Sequence, residues 1–204
     1  NNGIINFDYL GLWPWSQKQP NPPTLTIETK KCPDKNTISV VVRRSNEITV
    51  DADGSPRAYH PKNIGLDDNR NGGIGKDNYG IVSPDVIQGK NDPAPGYYVS
   101  VTALFDPRKK KTDPRRYVNS EVIPYLVFNK ADRKKGAKAG DYATITKKMP
   151  NGDLLIIHAI LADYNPYSKG EGYMKLVKEL GGNPDPRRGG VKCKEGFTIY
   201  VYPG

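Results

Sequence analysis

The stretch "LLIIHAILADYNPYSKGEGYMKLVKELGG" (residues 154–182) passes from a continuous apolar segment, through a turn rich in Tyr, Pro and Gly, into an amphipathic segment. Residues 154–163 are apolar at both odd and even positions, which predicts a central strand that is buried on both faces. In residues 172–182 apolar side chains recur at helical spacing, and a Gly–Gly pair follows them. The stretch therefore predicts a buried strand, a turn and a short helix.

Other segments of the chain have the composition of β-strands, because they are rich in β-branched and aromatic residues. These segments are residues 24–28, 38–44, 96–105, 122–128, 141–148 and 196–203. The Asn-Gly pair at 151–152 predicts a hairpin between the last two strands before residue 164. Gly (21 residues) and Pro (18 residues) are abundant but not repeated, as is typical of short strands joined by turns. We expect a mainly β, barrel-like fold with one or two short helices.

The length of 204 residues suits one ample domain. The sequence "QKQPNPPTL" (17–25) is typical of a stiff, extended segment. We therefore interpret residues 1–23 as an extended lead-in and residues 24–204 as a single domain. Within this domain, residues 54–96 have the composition of a loop, and loops of this length are usually functional or disordered. Apolar residues scattered through it predict that the loop is ordered.

The net charge of +9 is concentrated in "PRKKKTDPRR" (107–116) and "KADRKKGAK" (130–138). Such segments are compatible with nucleic acid, an anionic cell-wall polymer or a membrane surface as partner, and also with plain solvated loops. No zinc finger, recognition helix or aromatic RNA-binding strand accompanies them, so we expect no nucleic-acid partner. No apolar run approaches the roughly 18 residues of a membrane span.

The two cysteines, Cys32 and Cys193, are compatible both with a disulfide and with two separate thiols, because sequence gives no geometry. A zinc site made of Cys and His would need both of them to converge with His60 and His158. We expect no metal site.

The motif "DADG" (51–54) invites comparison with a helix–loop–helix calcium loop. Such a loop would need glycine at its sixth position and glutamate at its twelfth, where this chain has Pro56 and Lys62. Asp51 and Asp53 therefore either cap a turn or line a cleft.

Two carboxyl groups flank the turn in residues 154–182. Asp163 closes the apolar strand, and in a regular strand it would share a face with Leu155, Ile157 and Leu161. Burial there would raise its pKa and make it a candidate proton donor. Glu171 precedes the helix, whose dipole would lower the pKa of that carboxyl. Diverging pKa values suit an acid–base pair, but the same residues could simply cap the turn and begin the helix.

The chain contains five segments in the order "DADGSPRAYHPKNIGLDDNRNGG", "PAPGYYVSVTALFD", "RYVNSEVIPYLVF", "GDYATI" and "HAILADYNPYSKGEG". Together they cover most of residues 50–181 and resemble glycoside hydrolase family 75, the chitosanases. The resemblance implies hydrolysis of internal bonds in a β-1,4-linked glucosamine polymer, with inversion and without metal or organic cofactor. The family's essential Asp and Glu match Asp163 and Glu171, and its Gly-Asp pair matches Gly140–Asp141.

The segment around Asp163 is also similar to the strand that carries the catalytic aspartate in double-psi β-barrel lytic transglycosylases, which is an analogy at the level of the fold. The chain departs from the family in having Tyr164 and Asn165 where Gly-Pro is typical. It also has Tyr173–Met174 where small residues are usual. These departures imply a differently shaped cleft.

The resemblance leads us to expect a monomeric, secreted or periplasmic enzyme with Asp163 as acid and Glu171 as base. Tyr164 and Tyr167 are candidates to stack on sugar rings. Because chitosan is a polycation, a protein with a net charge of +9 would need an acidic cleft to bind it. Candidates for that cleft, besides the acid and the base, are Asp51, Asp53, Asp67, Asp68, Asp92 and Asp141. The alternatives are a peptidoglycan-degrading enzyme held on the wall by its basic loops, and a non-catalytic wall- or polyanion-binding module.

Overall fold

The structure, a computed structural model, describes residues 40–204. The lead-in 1–23, the predicted strand 24–28 and Cys32 lie outside the described residues. The strands are β1 (Val41–Asp51), β2 (Tyr125–Phe128), β3 (Tyr142–Lys148), β4 (Leu154–Tyr164), β5 (Glu171–Tyr173) and β6 (Val191–Tyr202). The helices are α1 (Lys130–Lys134) and α2 (Met174–Glu179), and a single 3-10 turn covers Pro114–Arg116.

The six strands close into a barrel in the order β1-β5-β2-β4-β3-β6. Strand β1 pairs with β5, and β2 with β4, in parallel, whereas the other neighbours are antiparallel. Within residues 40–204 each strand has a strand neighbour on both sides, which limits the edge that is open to association with another chain. The prediction of a mainly β, barrel-like fold with short helices is confirmed.

The hairpin predicted from the Asn-Gly pair joins β3 to β4. Lys148 lies opposite Leu154, and the amide of Met149 donates to the carbonyl of Asp153 at 2.8 Å. Gly152 has a φ of +92°, which glycine adopts without the strain a side chain would cause. The turn residues therefore determine where the two strands begin to pair.

The barrel interior is filled by apolar side chains from every strand except β5, and α2 packs against it through Leu176 and Val177. Helix α2 is shorter than the predicted segment 172–182. Residues 172 and 173 belong to β5, and the helix ends at Glu179. A buried ion pair between Arg43 and Asp132, at 2.7 Å, ties α1 to β1. Within residues 40–204, no helix has both the length and the apolar character needed to cross a membrane.

The long connection between β1 and β2 is ordered, as its scattered apolar residues predict. Tyr59, Ile81 and Tyr98 are buried in a cluster of their own, and the amide of Tyr98 donates to the carbonyl of Tyr59 at 3.0 Å. Gly54 has a φ of +76°, and a Cβ there would collide with the carbonyl oxygen of Val118. This close approach fixes the "DADG" turn against the rest of the connection.

The prediction of a strand over residues 96–105 is wrong. The segment forms only isolated bridges, between Ser100 and Ile81, Tyr98 and Ile87, and Phe105 and Tyr117. Its apolar side chains pin the long connection instead of joining the barrel. None of these bridges involves a strand of the barrel, and the amide of Leu104 makes a single backbone bond to the carbonyl of Ala162 on β4, at 2.8 Å.

The prediction that β4 is buried on both faces is also wrong for its first half. Leu154 is 58% exposed and Ile156 is 49% exposed, because they lie on the outer face next to the hairpin. The second half, from Ala159 onward, is covered on both sides, with Leu161 and Ala162 fully buried. Cys193 lies half-buried on β6.

Two leucines allow a direct test of the barrel core. Leu126 on β2 is 0% exposed, so Leu126→Ala should lower the free energy of unfolding by about 2–5 kcal/mol through lost burial and a residual cavity. The matched control Leu154→Ala, on the exposed part of β4, should change it by less than about 0.5 kcal/mol. Urea unfolding of both variants measures the difference, and equal costs would contradict this description of the core.

Candidate active site

A cavity of about 500 Å³ opens beside Asp51 on β1, Asp163 on β4 and Glu171 on β5. Its volume falls within the roughly 300–1,000 Å³ of small-molecule sites. Asp53 also lines it, and none of the described residues that line it is basic. The cavity is therefore an acidic cleft in a protein whose net charge is +9.

Strand pairing brings the carboxyl groups together from distant parts of the sequence. Thr49 lies opposite Glu171 across the parallel β1–β5 pair, and Asp51 is two residues further along β1. On the other side of β5, β2 lies between Glu171 and Asp163, because Leu126 is opposite Gly172 and Val127 is opposite Asp163. Neighbouring strands stand about 4.8 Å apart, so the backbones that carry Glu171 and Asp163 are roughly 10 Å apart.

The carboxylate of Asp163 is held by three hydrogen-bond donors. Its Oδ1 accepts from the amides of Ala103 at 3.1 Å and Tyr164 at 2.8 Å, and its Oδ2 accepts from the Tyr173 hydroxyl at 2.7 Å. Burial raises the pKa of Asp163 to about 6, although these three donors act to lower it. The raised pKa agrees with the desolvation expected at the end of the apolar strand.

The position of Asp163 on the strand differs from the prediction. The register between β2 and β4 shifts between Leu126 and Val127, which leaves Ala162 as an extra residue on β4. Because one inserted residue reverses the alternation of side chains, Asp163 does not continue the face of Leu155, Ile157 and Leu161. The bulge turns its carboxylate toward Tyr173 and the long connection.

The predicted effect on Glu171 is wrong in direction. Burial, and then the negative charge of Asp51, raises the pKa of Glu171 to about 7. The Asn165 amide, which donates to Oε2 at 3.1 Å, acts to lower it. Helix α2 begins only at Met174 and has six residues. Desolvation and a neighbouring carboxyl therefore outweigh the helix dipole at this position.

Asp51 lies close enough to Glu171 for its negative charge to raise the pKa of Glu171. Oδ1 of Asp51 also accepts from the amides of Ala52 at 2.5 Å and Asp53 at 3.0 Å. Burial, and then the charge of Asp67, raises the pKa of Asp51 to about 7. Ionisation of one of these carboxyls therefore disfavours ionisation of the other.

Asp53 and Asp67 lie deeper and make the surroundings more negative. Oδ1 of Asp53 accepts from the Ser100 hydroxyl at 3.2 Å, and burial, followed by the charge of Asp51, holds the pKa of Asp53 well above its usual range. Asp67 accepts from Asn71 at 2.7 Å, and burial raises the pKa of Asp67 to about 6. Asp53 lines the cavity, whereas Asp67 lies behind Asn71.

Tyrosines form much of the remaining wall. Tyr164 and Tyr167 both line the cavity, and Tyr167 is 88% exposed at its mouth. Tyr79 also lines it and is 61% exposed, although the sequence marks it only as one of several apolar residues that order the long loop. Tyr173 stacks on Tyr125 with ring centroids 3.8 Å apart. The hydroxyl of Tyr125 donates to the backbone carbonyl of Asp53.

Besides Asp67, three more of the predicted acidic residues lie outside the cavity. Asp141 is buried at the start of β3, where Oδ2 accepts from the amide of Lys138 at 2.8 Å. Asp68 pairs with Arg70 at 3.0 Å, and Asp92 pairs with Arg115 at 3.1 Å. Asp141 therefore shapes a turn, while the other two neutralise arginines.

The raised pKa of Glu171 makes stability depend on pH in a predictable direction. Its usual pKa is 4.5, so between about 4.5 and about 7 the folded protein keeps a proton that the unfolded chain releases. Stability should therefore fall as pH rises through this window. At pH 8, Glu171→Gln should be more stable than the wild type by roughly 2–3 kcal/mol, and at pH 4 the two should be nearly equal.

Urea unfolding at several pH values measures this difference. The matched control is Glu195→Gln, which makes the same change at an exposed position on β6 and should leave the pH dependence unaltered. A constant difference between Glu171→Gln and the wild type from pH 4 to pH 8 would contradict the burial of this carboxyl.

Comparison with known proteins adds no relative to this description. No protein-family model matches the chain, and no curated protein matches it. Among residues 40–204, no three His, Cys, Asp or Glu side chains are arranged to hold a metal ion. The site is therefore interpreted from its own geometry.

Proposed function

We propose that the protein hydrolyses a β-1,4-linked amino-sugar polysaccharide, with a glucosamine polymer such as chitosan as its substrate. The observation that carries this proposal is that Glu171 and Asp163, on strands separated by β2, line one acidic cavity. These two positions also match the essential Asp and Glu in the resemblance to glycoside hydrolase family 75. Since such polymers lie outside the cell, a secreted or periplasmic location belongs to the proposal.

The hydrogen bonds around the two carboxyls support Glu171 as the acid and Asp163 as the base. All three donors to Asp163 stabilise its charged form, which suits a group that must accept a proton. Glu171 has the higher pKa of the two, about 7 against about 6 for Asp163. These roles are the reverse of those expected from the sequence, because burial and Asp51 raise the pKa of Glu171.

In the proposed reaction, Glu171 donates its proton to the glycosidic oxygen as the bond from that oxygen to the anomeric carbon breaks. A water molecule attacks the anomeric carbon from the opposite face and gives its proton to Asp163. One water is consumed, and the configuration at the anomeric carbon inverts. Inverting enzymes hold their two carboxyls about 6.5–9.5 Å apart to leave room for this water. The carboxyls of Glu171 and Asp163 both line the first cavity, which has room for such a water.

The charge distribution supports a polycationic substrate. In mildly acidic solution the amino groups of a glucosamine polymer are protonated, and the cavity offers them carboxyl groups with no competing basic side chain among the described lining residues. The basic segment 107–116 is partly neutralised outside the cavity, where Arg115 pairs with Asp92 at 3.1 Å. Exposed Tyr79 and Tyr167 offer flat surfaces for sugar rings, as does the half-buried Tyr164.

Peptidoglycan is a second candidate, because one cation lies at the cavity wall. The guanidinium of Arg133 on α1 lies 5.4 Å from the ring centroid of Tyr164, which lines the cavity. Helix α1 also carries Lys130 and Lys134, so an anionic polymer could approach from this side. The glycan of peptidoglycan contains β-1,4-linked amino sugars, so the same two carboxyls would serve.

Both carboxyls are expected to be needed for activity. Glu171→Gln and Asp163→Asn should each lower kcat/KM by about 10²–10⁴-fold, because each removes one proton-transfer step. The measurement is release of reducing ends from chitosan and from purified peptidoglycan, side by side, with folding of each variant checked by circular dichroism.

The matched control for Asp163→Asn is Asp85→Asn, which makes the same change at an exposed loop position and should keep full activity. If both site variants keep their activity on one of the polymers, the assignment of Glu171 and Asp163 as acid and base is wrong. Binding to a polymer without hydrolysis by the wild type would identify a non-catalytic module.

Asp51 is expected to raise the pKa of Glu171, the proposed acid. Replacing it by Asn removes the charge that raises the pKa of Glu171, so the alkaline limb of the kcat/KM profile should move to lower pH by roughly one unit. Asp85→Asn should leave the profile unchanged. If the alkaline limb stays in place in Asp51→Asn, the charge of Asp51 does not raise the pKa of Glu171.

A further inference from the structure

A second cavity of about 300 Å³ adjoins the first, and the two share Glu171 as a lining residue. The second cavity is lined by polar side chains, namely Ser45, Asn46, Glu47, Thr49, Ser168 and Lys169. Among the described residues, Glu171 alone lines both. The two cavities, together called the groove, therefore meet at the candidate acid.

The floor of this second cavity is built by a close approach of backbone segments. Two hydrogen bonds join Thr49 to Gly170. The amide and the hydroxyl of Thr49 both donate to the Gly170 carbonyl, at 3.1 Å and 3.2 Å. A Cβ at position 170 would collide with the Glu47 carbonyl and the Ser45 side chain. The register between β1 and β6 also shifts between Ser45 and Glu47. Glycine at position 170 is thus required for the segment before Glu171 to lie against β1.

The two carboxyls divide the groove asymmetrically. Asp163 lines only the first cavity, whereas Glu171 lines both. In inverting hydrolysis, the base must face the anomeric carbon from the side opposite the leaving group, while the acid must face the glycosidic oxygen. The sugar that contributes the anomeric carbon therefore lies in the first cavity, between the two carboxyls. The sugar that leaves lies beyond Glu171.

We infer that the second cavity binds the leaving-group sugars, those on the reducing-end side of the cleaved bond. This inference rests on the proposed hydrolysis. The half-exposed carboxylate of Glu47, which pairs loosely with Lys192 at 3.5 Å, offers a partner for the ammonium group of a glucosamine there. The hydroxyl and amide groups of Thr49 and Asn46 suit sugar hydroxyls. With sugars held on both sides of Glu171, cleavage occurs within a chain.

The test fills the second cavity by substitutions that leave both carboxyl residues, Asp163 and Glu171, unchanged. Thr49 is exposed on β1, where an aromatic residue suits a strand, so Thr49→Tyr should block the groove and leave the barrel intact. Lys169→Trp fills the same cavity from an exposed loop position. The matched control is Val42→Tyr, which adds a comparable ring at an exposed position of β1 that lines neither cavity.

The substrate is a glucosamine hexasaccharide with a fluorescent label at its reducing end. We expect Thr49→Tyr and Lys169→Trp to lower kcat/KM by at least about tenfold, because the leaving group is no longer positioned. The cut should also move toward the label, giving shorter labelled products. Val42→Tyr should match the wild type in rate and products. Unchanged rates and products in both cavity variants would overturn the inference while leaving the proposed hydrolysis intact.

A binding measurement separates the inference from failure of the proposed function. If the wild type cleaves no amino-sugar polymer, the unlabelled hexasaccharide is titrated into the protein and backbone amide shifts are followed by nuclear magnetic resonance. Shifts at Thr49 and Lys169 that are lost in Thr49→Tyr would support a sugar site in the second cavity. Absence of shifts at these amides would overturn it.

Discussion

The parallel pairing of β1 with β5 is the constraint on which the site depends. It brings Asp51 near Glu171 and holds Gly170 against Thr49, so the proposed acid, the carboxyl that raises its pKa and the wall of the second cavity depend on one contact between strands. Parallel neighbours cannot be joined by a tight turn, and here the long connection, β2, β3 and β4 intervene along the chain. The same connection returns to cover the carboxyls, so one pairing both assembles and desolvates them.

Burial of several carboxyls has an energetic cost that the rest of the fold must offset. Asp51, Asp53, Asp163 and Glu171 all have raised pKa values with burial as the leading cause. The barrel core and the buried Arg43–Asp132 pair lie apart from this cluster and keep the scaffold rigid around it. The net charge of +9 is therefore a poor guide to the site, because the basic side chains lie on outer loops and the acidic ones converge.

Most strands could be predicted from the sequence because their apolar and β-branched patterns are local properties. Residues 141–148 and 196–203 were identifiable for this reason, and so was the burial of Asp163 at the end of an apolar run. Residues 96–105 have an equally strong pattern but form no strand, since strand formation also requires a free neighbour. The extra residue at Ala162 and the effect of Asp51 on Glu171 depend on partners distant in sequence, which composition does not specify. The place of Tyr79 in the cavity wall could not be predicted for the same reason.

Closure of the barrel by its last strand has a consequence for when the protein becomes competent. Strand β6 supplies the pairing for one edge of β1 and one edge of β3, so the cylinder is incomplete until residues 191–202 are available. Contacts of such high sequence separation are formed late and slowly during folding. A nascent chain that has emerged only as far as β4 carries Asp163 but neither Glu171 nor a closed scaffold. The barrel around the two cavities is therefore complete only after β6 has paired with β1 and β3.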